Sequence, residues 1–149
     1  MSLAFCIAES YLVHYLNSLD ALNTSNQRIR DIITGKCKQE IPPTGTFIWA
    51  DVRDLALAHV KAVELPAAAN KRFFITAGYF SNREIVDIVR EAYPDLASKL
   101  PAKDTKGGDY PSGIYKYDNT RAVEVLGLKF RSLKESIVDT VKSLQAVGA

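Results

Sequence analysis

The chain has 149 residues, 47% apolar and 24% charged, a composition that fits a single domain with a hydrophobic core. Nineteen basic and seventeen acidic residues give a net charge of +2, too small to attract nucleic acid or an anionic membrane. No apolar run is long enough to span a bilayer, and the N-terminus lacks the basic start of a signal peptide. We therefore expect a cytoplasmic protein without nucleic-acid or membrane partners.

The two cysteines, Cys6 and Cys37, do not form a C-x-x-C pair, and no group of histidines lies near either of them. This arrangement argues against a zinc site and against a disulfide framework. We predict reduced cysteines and no metal site.

Three helix starts are predicted by capping-box spacing, in which a Ser or Thr is followed three positions later by Glu or Gln. These pairs are Thr24 with Gln27, Ser81 with Glu84, and Ser132 with Glu135. The first helix is expected at about 25–34, and the second ends before Pro94. The third helix, which begins after Ser132, is predicted to place on its buried face Leu133, Ile137, Val141 and Leu144.

The stretch TFIWADVRDLALAHVKAV, residues 46–63, predicts a strand at 47–49 that leads into a helix capped by Asp51. Helical periodicity predicts a buried stripe of Val52, Leu55, Ala56, Val60 and Val63. We interpret Asp51 and Asp54 as helix-start residues rather than metal ligands, because carboxylates favour the positive end of the helix dipole.

Further strands are predicted in RFFIT, residues 72–76, and at 114–117, with a polar surface loop at 100–113. A brief helix begins after Asp118 and ends at Gly127. The predicted fold class is α/β, mostly helical, with five helices and about three short strands.

Catalytic signatures are absent from the sequence. Its eight glycines match neither G-x-G-x-x-G nor the P-loop, and no tyrosine is followed by a lysine four positions later. His59 is predicted to be structural, and the aromatic residues at 110–117 are interpreted as packing rather than as a base-stacking surface. We assign no catalytic residue.

The order of several segments resembles a known family. LNTSNQRIRDIITG, TFIWADVRDLALAHVKAVE, RFFITAGYFSNREIVDIVREAYP and YDNTRAVEVLGLKFRSLKESIVDTV together resemble the C-terminal part of an extended short-chain dehydrogenase/reductase. The resemblance is to the NADP-dependent branch of dihydroflavonol 4-reductase, cinnamoyl-CoA reductase and fungal methylglyoxal reductases. It divides the chain into a divergent segment at 1–12 and a substrate-binding lobe at 13–149, and it implies that the N-terminal Rossmann half is lacking.

The resemblance also implies site residues. Ser25, at the start of the LNTSN helix, is the position that would approach the phosphates of NADP, although Thr24 and Ser25 could equally serve only as helix caps. A surviving substrate wall is predicted at His14, Tyr15, Leu19 and Leu22, with core packing as the alternative for the two leucines.

Two functions follow from these observations. The first is the substrate-binding lobe of an NADP-dependent carbonyl reductase that acts on small carbonyl compounds. The lobe alone is expected to be inactive because it lacks the cofactor fingerprint and the Tyr-x-x-x-Lys set. The alternative is a non-catalytic interaction protein that self-associates through an exposed apolar face. An unrelated α/β domain is a third, disfavoured interpretation.

Overall fold

The computed structural model describes residues 5–7 and 22–149. Within these residues lie five α-helices and three short strands, which confirms the predicted mostly helical α/β class. The helices are α1 (Thr24–Ile33), α2 (Val52–Glu64), α3 (Asn82–Ala92), α4 (Thr120–Leu126) and α5 (Leu133–Ala146). The strands are β1 (Phe5–Ile7), β2 (Ile48–Asp51) and β3 (Gly78–Tyr79), and single 3-10 turns lie at Pro66–Ala68 and Pro94–Leu96.

The three strands form one sheet in the order β1-β2-β3. β1 runs parallel to β2, with Phe5 opposite Trp49, whereas β3 runs antiparallel to β2, with Tyr79 opposite Ile48. β2 leads directly into α2, as the sequence predicts.

Two strand predictions are wrong. Residues 72–76 form only a bridge at Phe74, because pairing with β2 occurs later in the chain, where the N–H of Ala77 donates to the carbonyl of Trp49 at 2.8 Å. Residues 114–117 contain no strand. There the carbonyl of Tyr115 accepts from the phenol of Tyr79 at 2.9 Å, so a side chain occupies an acceptor that a strand would use.

The main hydrophobic core lies where α1, α3 and α5 pack together. Ile29, Ile85, Ile137 and Leu144, one or two from each helix, are fully buried. This confirms the predicted inward face of α5. A second core lies beneath α2 and α4 and contains Phe47, Ala50, Ala58, Ile75, Ala122, Leu126 and Leu128.

The buried stripe predicted for α2 is wrong. Only Asp54 and Ala58 of this helix are buried, while Val60 is 50% exposed and Val63 is 89% exposed. The buried residues of the helix are Asp54, which pairs with Arg131, and Ala58.

Helix starts follow the predicted chemistry in two cases. Ser81 and Glu84 form a complete capping box, and the Ser132 side chain accepts from the N–H of Glu135. At α1 the predicted cap Thr24 is wrong, because the side chain of Asn23 accepts the N–H of Asn26 at 3.0 Å. No helix in the described part of the chain is long and apolar enough to cross a membrane.

Candidate functional site

The amino-terminal end of α1 carries the residue predicted to approach a cofactor. Ser25 is 7% exposed, and its hydroxyl donates to the side-chain oxygen of Asn23 at 3.1 Å. The first turn contains no acidic residue, so the positive end of the helix dipole is not offset there. Ser25 therefore takes part in the cap, and its contact with a cofactor stays a prediction.

Asn26 is a polar residue that the sequence analysis missed. It is 2% exposed, yet its side-chain oxygen has no hydrogen-bond partner in the described part of the chain. Buried polar atoms in folded proteins are nearly always bonded, so such an atom calls for an explanation. The N-x-x-N spacing of Asn23 and Asn26 is too common in helix starts to have marked this position.

Arg28 connects α1 to α3. Its guanidinium donates to the side-chain oxygen of Asn82 at 3.1 Å, and burial lowers the pKa of Arg28. Asn82 in turn donates to the carbonyls of Pro42 and Pro43, and its N–H donates to the hydroxyl of Thr44. The IPPTG turn, α1 and α3 thus form one polar cluster, which short-range sequence patterns do not reveal.

The predicted substrate residues are only partly within the described structure. His14, Tyr15 and Leu19 lie outside the described residues. Leu22 is 4% exposed and packs in the main core, the alternative given for it above. A role in a substrate wall stays a prediction for all four.

Asp51 is buried and holds α2 against α5. One of its carboxylate oxygens caps α2 by accepting the N–H of Arg53 at 2.8 Å, and it also accepts from the guanidinium Nε of Arg53 at 2.9 Å. The other oxygen accepts from a second guanidinium nitrogen of Arg53 and from the hydroxyl of Ser136. Burial alone would raise the pKa of Asp51, but these hydrogen bonds outweigh it and lower the pKa. The carboxylate is therefore held charged by its structural partners.

Asp54 has a similar role one turn later. It is 1% exposed and accepts the N–H of Arg131 at 2.9 Å as well as the guanidinium of the same residue. No group of His, Cys, Asp and Glu suited to a metal ion occurs among the described residues. Both aspartates are structural, as the sequence analysis interprets them.

His59 and the tyrosines near the 110–117 segment contact protein groups within the described part of the chain. The Nδ1 atom of His59 lies 2.7 Å from the Leu55 carbonyl of its own helix, on the exposed side. The Tyr115 ring packs against Phe47 with centroids 4.5 Å apart, and Tyr79 meets Tyr117 edge to face at 4.9 Å. This packing agrees with the interpretation of the aromatic segment as structural.

The polar loop at 100–113 is anchored by Arg83 of α3. Its guanidinium donates to the carbonyls of Thr105 and Gly107 and pairs with Asp109 at 2.9 Å. The Gly108 carbonyl also accepts from the hydroxyl of Thr44 at 2.7 Å. The loop therefore has a defined path over the start of α3.

The sequence of the chain is similar to those of known reductases. Ketoreductase azaE of Aspergillus niger is 45% identical over 131 residues, which cover 87% of this chain and 38% of the relative. The putative NADPH-dependent methylglyoxal reductase GRP2 of Candida albicans is 35% identical over 125 residues, 83% of this chain and 36% of the relative. No protein-family model matches the chain.

A solved structure shows the same fold. Gre2 of Candida albicans, determined in complex with NADPH, superimposes with a TM-score of 0.80 at 31% identity, over 97% of this chain and 42% of the other. The chain thus spans about two fifths of the length of these reductases.

The order of elements and these matches define the class, an α/β lobe of an NADPH-dependent reductase family. The chain belongs to the extended short-chain dehydrogenases/reductases and corresponds to their C-terminal portion. This confirms the resemblance on which the sequence analysis relied.

Proposed function

We propose that this chain provides the substrate-binding lobe of an NADPH-dependent carbonyl reductase. The observation that carries the proposal is the match to ketoreductase and methylglyoxal reductase relatives across more than four fifths of the chain. The substrates would be small aldehydes or ketones, the class named for those relatives.

The amino-terminal end of α1 fits a part of the cofactor. It offers the positive end of a helix dipole, the Ser25 hydroxyl and the buried Asn26, whose side-chain oxygen lacks a partner among the described residues. The unpartnered atom of Asn26 is an oxygen that can only accept a hydrogen bond, so it suits a ribose hydroxyl of the cofactor. When bound, NADPH supplies the hydride for carbonyl reduction, and these residues would position it.

The chain alone is proposed to be inactive. Carbonyl reduction needs a proton donor beside the carbonyl oxygen, and the sequence has no Tyr-x-x-x-Lys pair to provide it. It also has no glycine fingerprint to hold the pyrophosphate. We expect no NADPH oxidation above the protein-free rate when the purified chain is mixed with methylglyoxal, and turnover that copurifies with the chain would contradict this.

The decisive experiment is the intact mass of the polypeptide in its source cells, detected with an antibody against α5. A mass well above 16.5 kDa would show that the lobe works within a larger reductase. A mass of 16.5 kDa would instead favour a short product with another role.

A non-catalytic interaction protein is the second candidate. It is favoured by the exposed apolar side chains on α2, since Leu57, Val60 and Val63 are 41%, 50% and 89% exposed. Such a stripe is suited to self-association. Light scattering that shows a monomer at all concentrations would count against this candidate, and a dimer that Val63→Lys dissociates would support it.

A further inference from the structure

A groove of about 610 Å³ lies far from the predicted cofactor site. It is bounded by four segments: the turn that follows α1, the carboxyl-terminal end of α3, the turn after the 3-10 helix Pro94–Leu96, and the start of the 100–113 loop. The volume falls within the range of small-molecule sites in proteins. Its lining residues are Lys38, Gln39, Arg90, Ala97, Ser98, Leu100, Pro101, Ala102, Lys103 and Thr105.

The lining is cationic. Lys38, Arg90 and Lys103 contribute three positive charges, and no acidic side chain is among the lining residues. The nearest carboxylates outside the lining include Glu40 and Asp104, which line an adjoining groove that shares Gln39 and Thr105 with this one. Charges of one sign in a concave site raise the local concentration of the opposite ion.

The three cations differ in how firmly they are held. The guanidinium of Arg90 donates to Asp87 at 2.5 Å and to the carbonyl of Pro101 at 2.7 Å, which fixes its position and offsets part of its charge. Lys38 and Lys103 are exposed, and neither forms an ion pair within the described ranges. The groove therefore has two available ammonium groups beside one positioned guanidinium.

The remaining lining suits an organic ligand rather than a bare ion. Ala97 and Ala102 are exposed apolar residues of the lining, which also includes the buried Leu100 and Pro101. The hydroxyls of Ser98 and Thr105 add hydrogen-bonding groups. A few polar groups around an apolar surface are the usual composition of a small-molecule site.

The groove is distinct from the end of α1 that carries Ser25. Lys38 follows the carboxyl-terminal end of that helix, whose ten residues span about 15 Å. A ligand in the groove would therefore not occupy the place predicted for the cofactor.

We propose that this groove binds a phosphate monoester with a small apolar body. The dianionic phosphate would lie between Lys38 and Lys103 with Arg90 at its side, and the apolar body would rest on Ala97 and Ala102. A dianion matches two ammonium groups that form no ion pair within the described ranges.

Phenyl phosphate serves as the probe, with benzyl alcohol as a neutral compound of similar shape. Binding is followed by NMR amide shifts of the ¹⁵N-labelled full chain, which are expected to be saturable and largest at Ser98, Lys103 and Thr105. Benzyl alcohol should give much smaller shifts. An equal response to the neutral compound, or no saturable shift up to about 10 mM phenyl phosphate, would overturn the proposal.

The matched variants are Lys38→Glu/Lys103→Glu and, as control, Lys71→Glu/Lys129→Glu, which changes the net charge equally at exposed lysines outside the groove. The groove variant should raise Kd about tenfold or more, whereas the control should change it less than about twofold. All four sites are exposed, so both proteins should fold. Equal weakening in the two variants would show diffuse charge attraction and refute a site in the groove.

Discussion

Replacing Asp51 by Asn tests the structural role of the aspartate in the strand–helix junction. Asn caps helices as well as Asp does, so the bond to the N–H of Arg53 is retained. The second oxygen, which accepts from the Arg53 guanidinium at 2.8 Å and from Ser136, becomes an NH₂ group that faces the donors of the guanidinium. The other oxygen keeps its bonds to the N–H and to the guanidinium Nε of Arg53, so the substitution removes the charge and one of the two guanidinium bonds while the cap is retained.

The magnitude follows from the contacts that are lost. A net charge-assisted hydrogen bond contributes about 1.5–3 kcal/mol, and Ser136 can rotate its hydroxyl to accept from the new NH₂ group. Because the Arg53 side chain is only 23% exposed, solvent offsets little of the loss. We expect the free energy of unfolding to fall by about 2–3 kcal/mol, which in urea lowers the midpoint by about 1 M.

The matched control is Asp139→Asn, which removes another carboxylate from the same guanidinium. Asp139 contacts Arg53 at 2.9 Å, but its side chain is 33% exposed, so its loss should cost less than about 1 kcal/mol. Urea denaturation at neutral pH, followed by circular dichroism, measures both variants. If the two variants were destabilised equally, or if Asp51→Asn lay within about 0.5 kcal/mol of the parent, the argument from burial would be refuted.

The pH dependence has a definite sign. The pKa of Asp51 is lower in the folded protein than in the unfolded chain, where it is about 3.9, so the carboxylate stabilises the fold above that pH. This stabilisation is lost as the pH falls through the folded-state pKa. The gap in stability between the parent and Asp51→Asn should therefore narrow below about pH 4, and a gap that widened there would contradict the assignment.

Three further substitutions test other contacts. Asp54→Ala leaves the buried side of the Arg131 ion pair empty and should cost about 3 kcal/mol in urea denaturation, and a loss below about 1 kcal/mol would contradict the pairing. Gly108→Ala places a methyl group against the side chain of Ile41 and demands a positive φ of 73°, so the thermal midpoint should fall by several degrees; an unchanged midpoint would show that the loop adapts. Ile137→Ala opens a cavity in the main core and should cost about 2–5 kcal/mol, and a value near zero would place this side chain outside the core.

Local signals predicted much of the fold. The Ser81 capping box requires only neighbouring side chains and an N–H group, and the structure confirms it. The inward face of α5 also follows from periodicity, because the helix packs against two others and buries Ile137 and Val141 completely. Where the hydrogen bonds or the apolar face of a single element determine its structure, the sequence is sufficient to predict that element.

Predictions from the sequence are wrong where contacts between residues far apart in the chain determine the structure. The apolar stripe of α2 predicts burial of Val60 and Val63, but Asp54 is buried instead, and its carboxylate pairs with Arg131 far along the chain. The link from Arg28 to Asn82 likewise joins residues 54 positions apart. Such pairs leave no periodic trace, so the polar cluster of the candidate site could not be found from the sequence.

The attachment of the 100–113 loop to Arg83 makes protease sensitivity a measure of helix opening. Lys103 and Lys106 are exposed tryptic sites, yet the backbone between them and Asp109 is bonded to a guanidinium at the first turn of α3. A protease needs an extended, detached stretch of backbone, which this loop provides only when those bonds break. The rate of cleavage after Lys106 would therefore report how often the loop detaches from the beginning of α3. Proteolysis at the surface would thus measure the opening equilibrium between this loop and the helix.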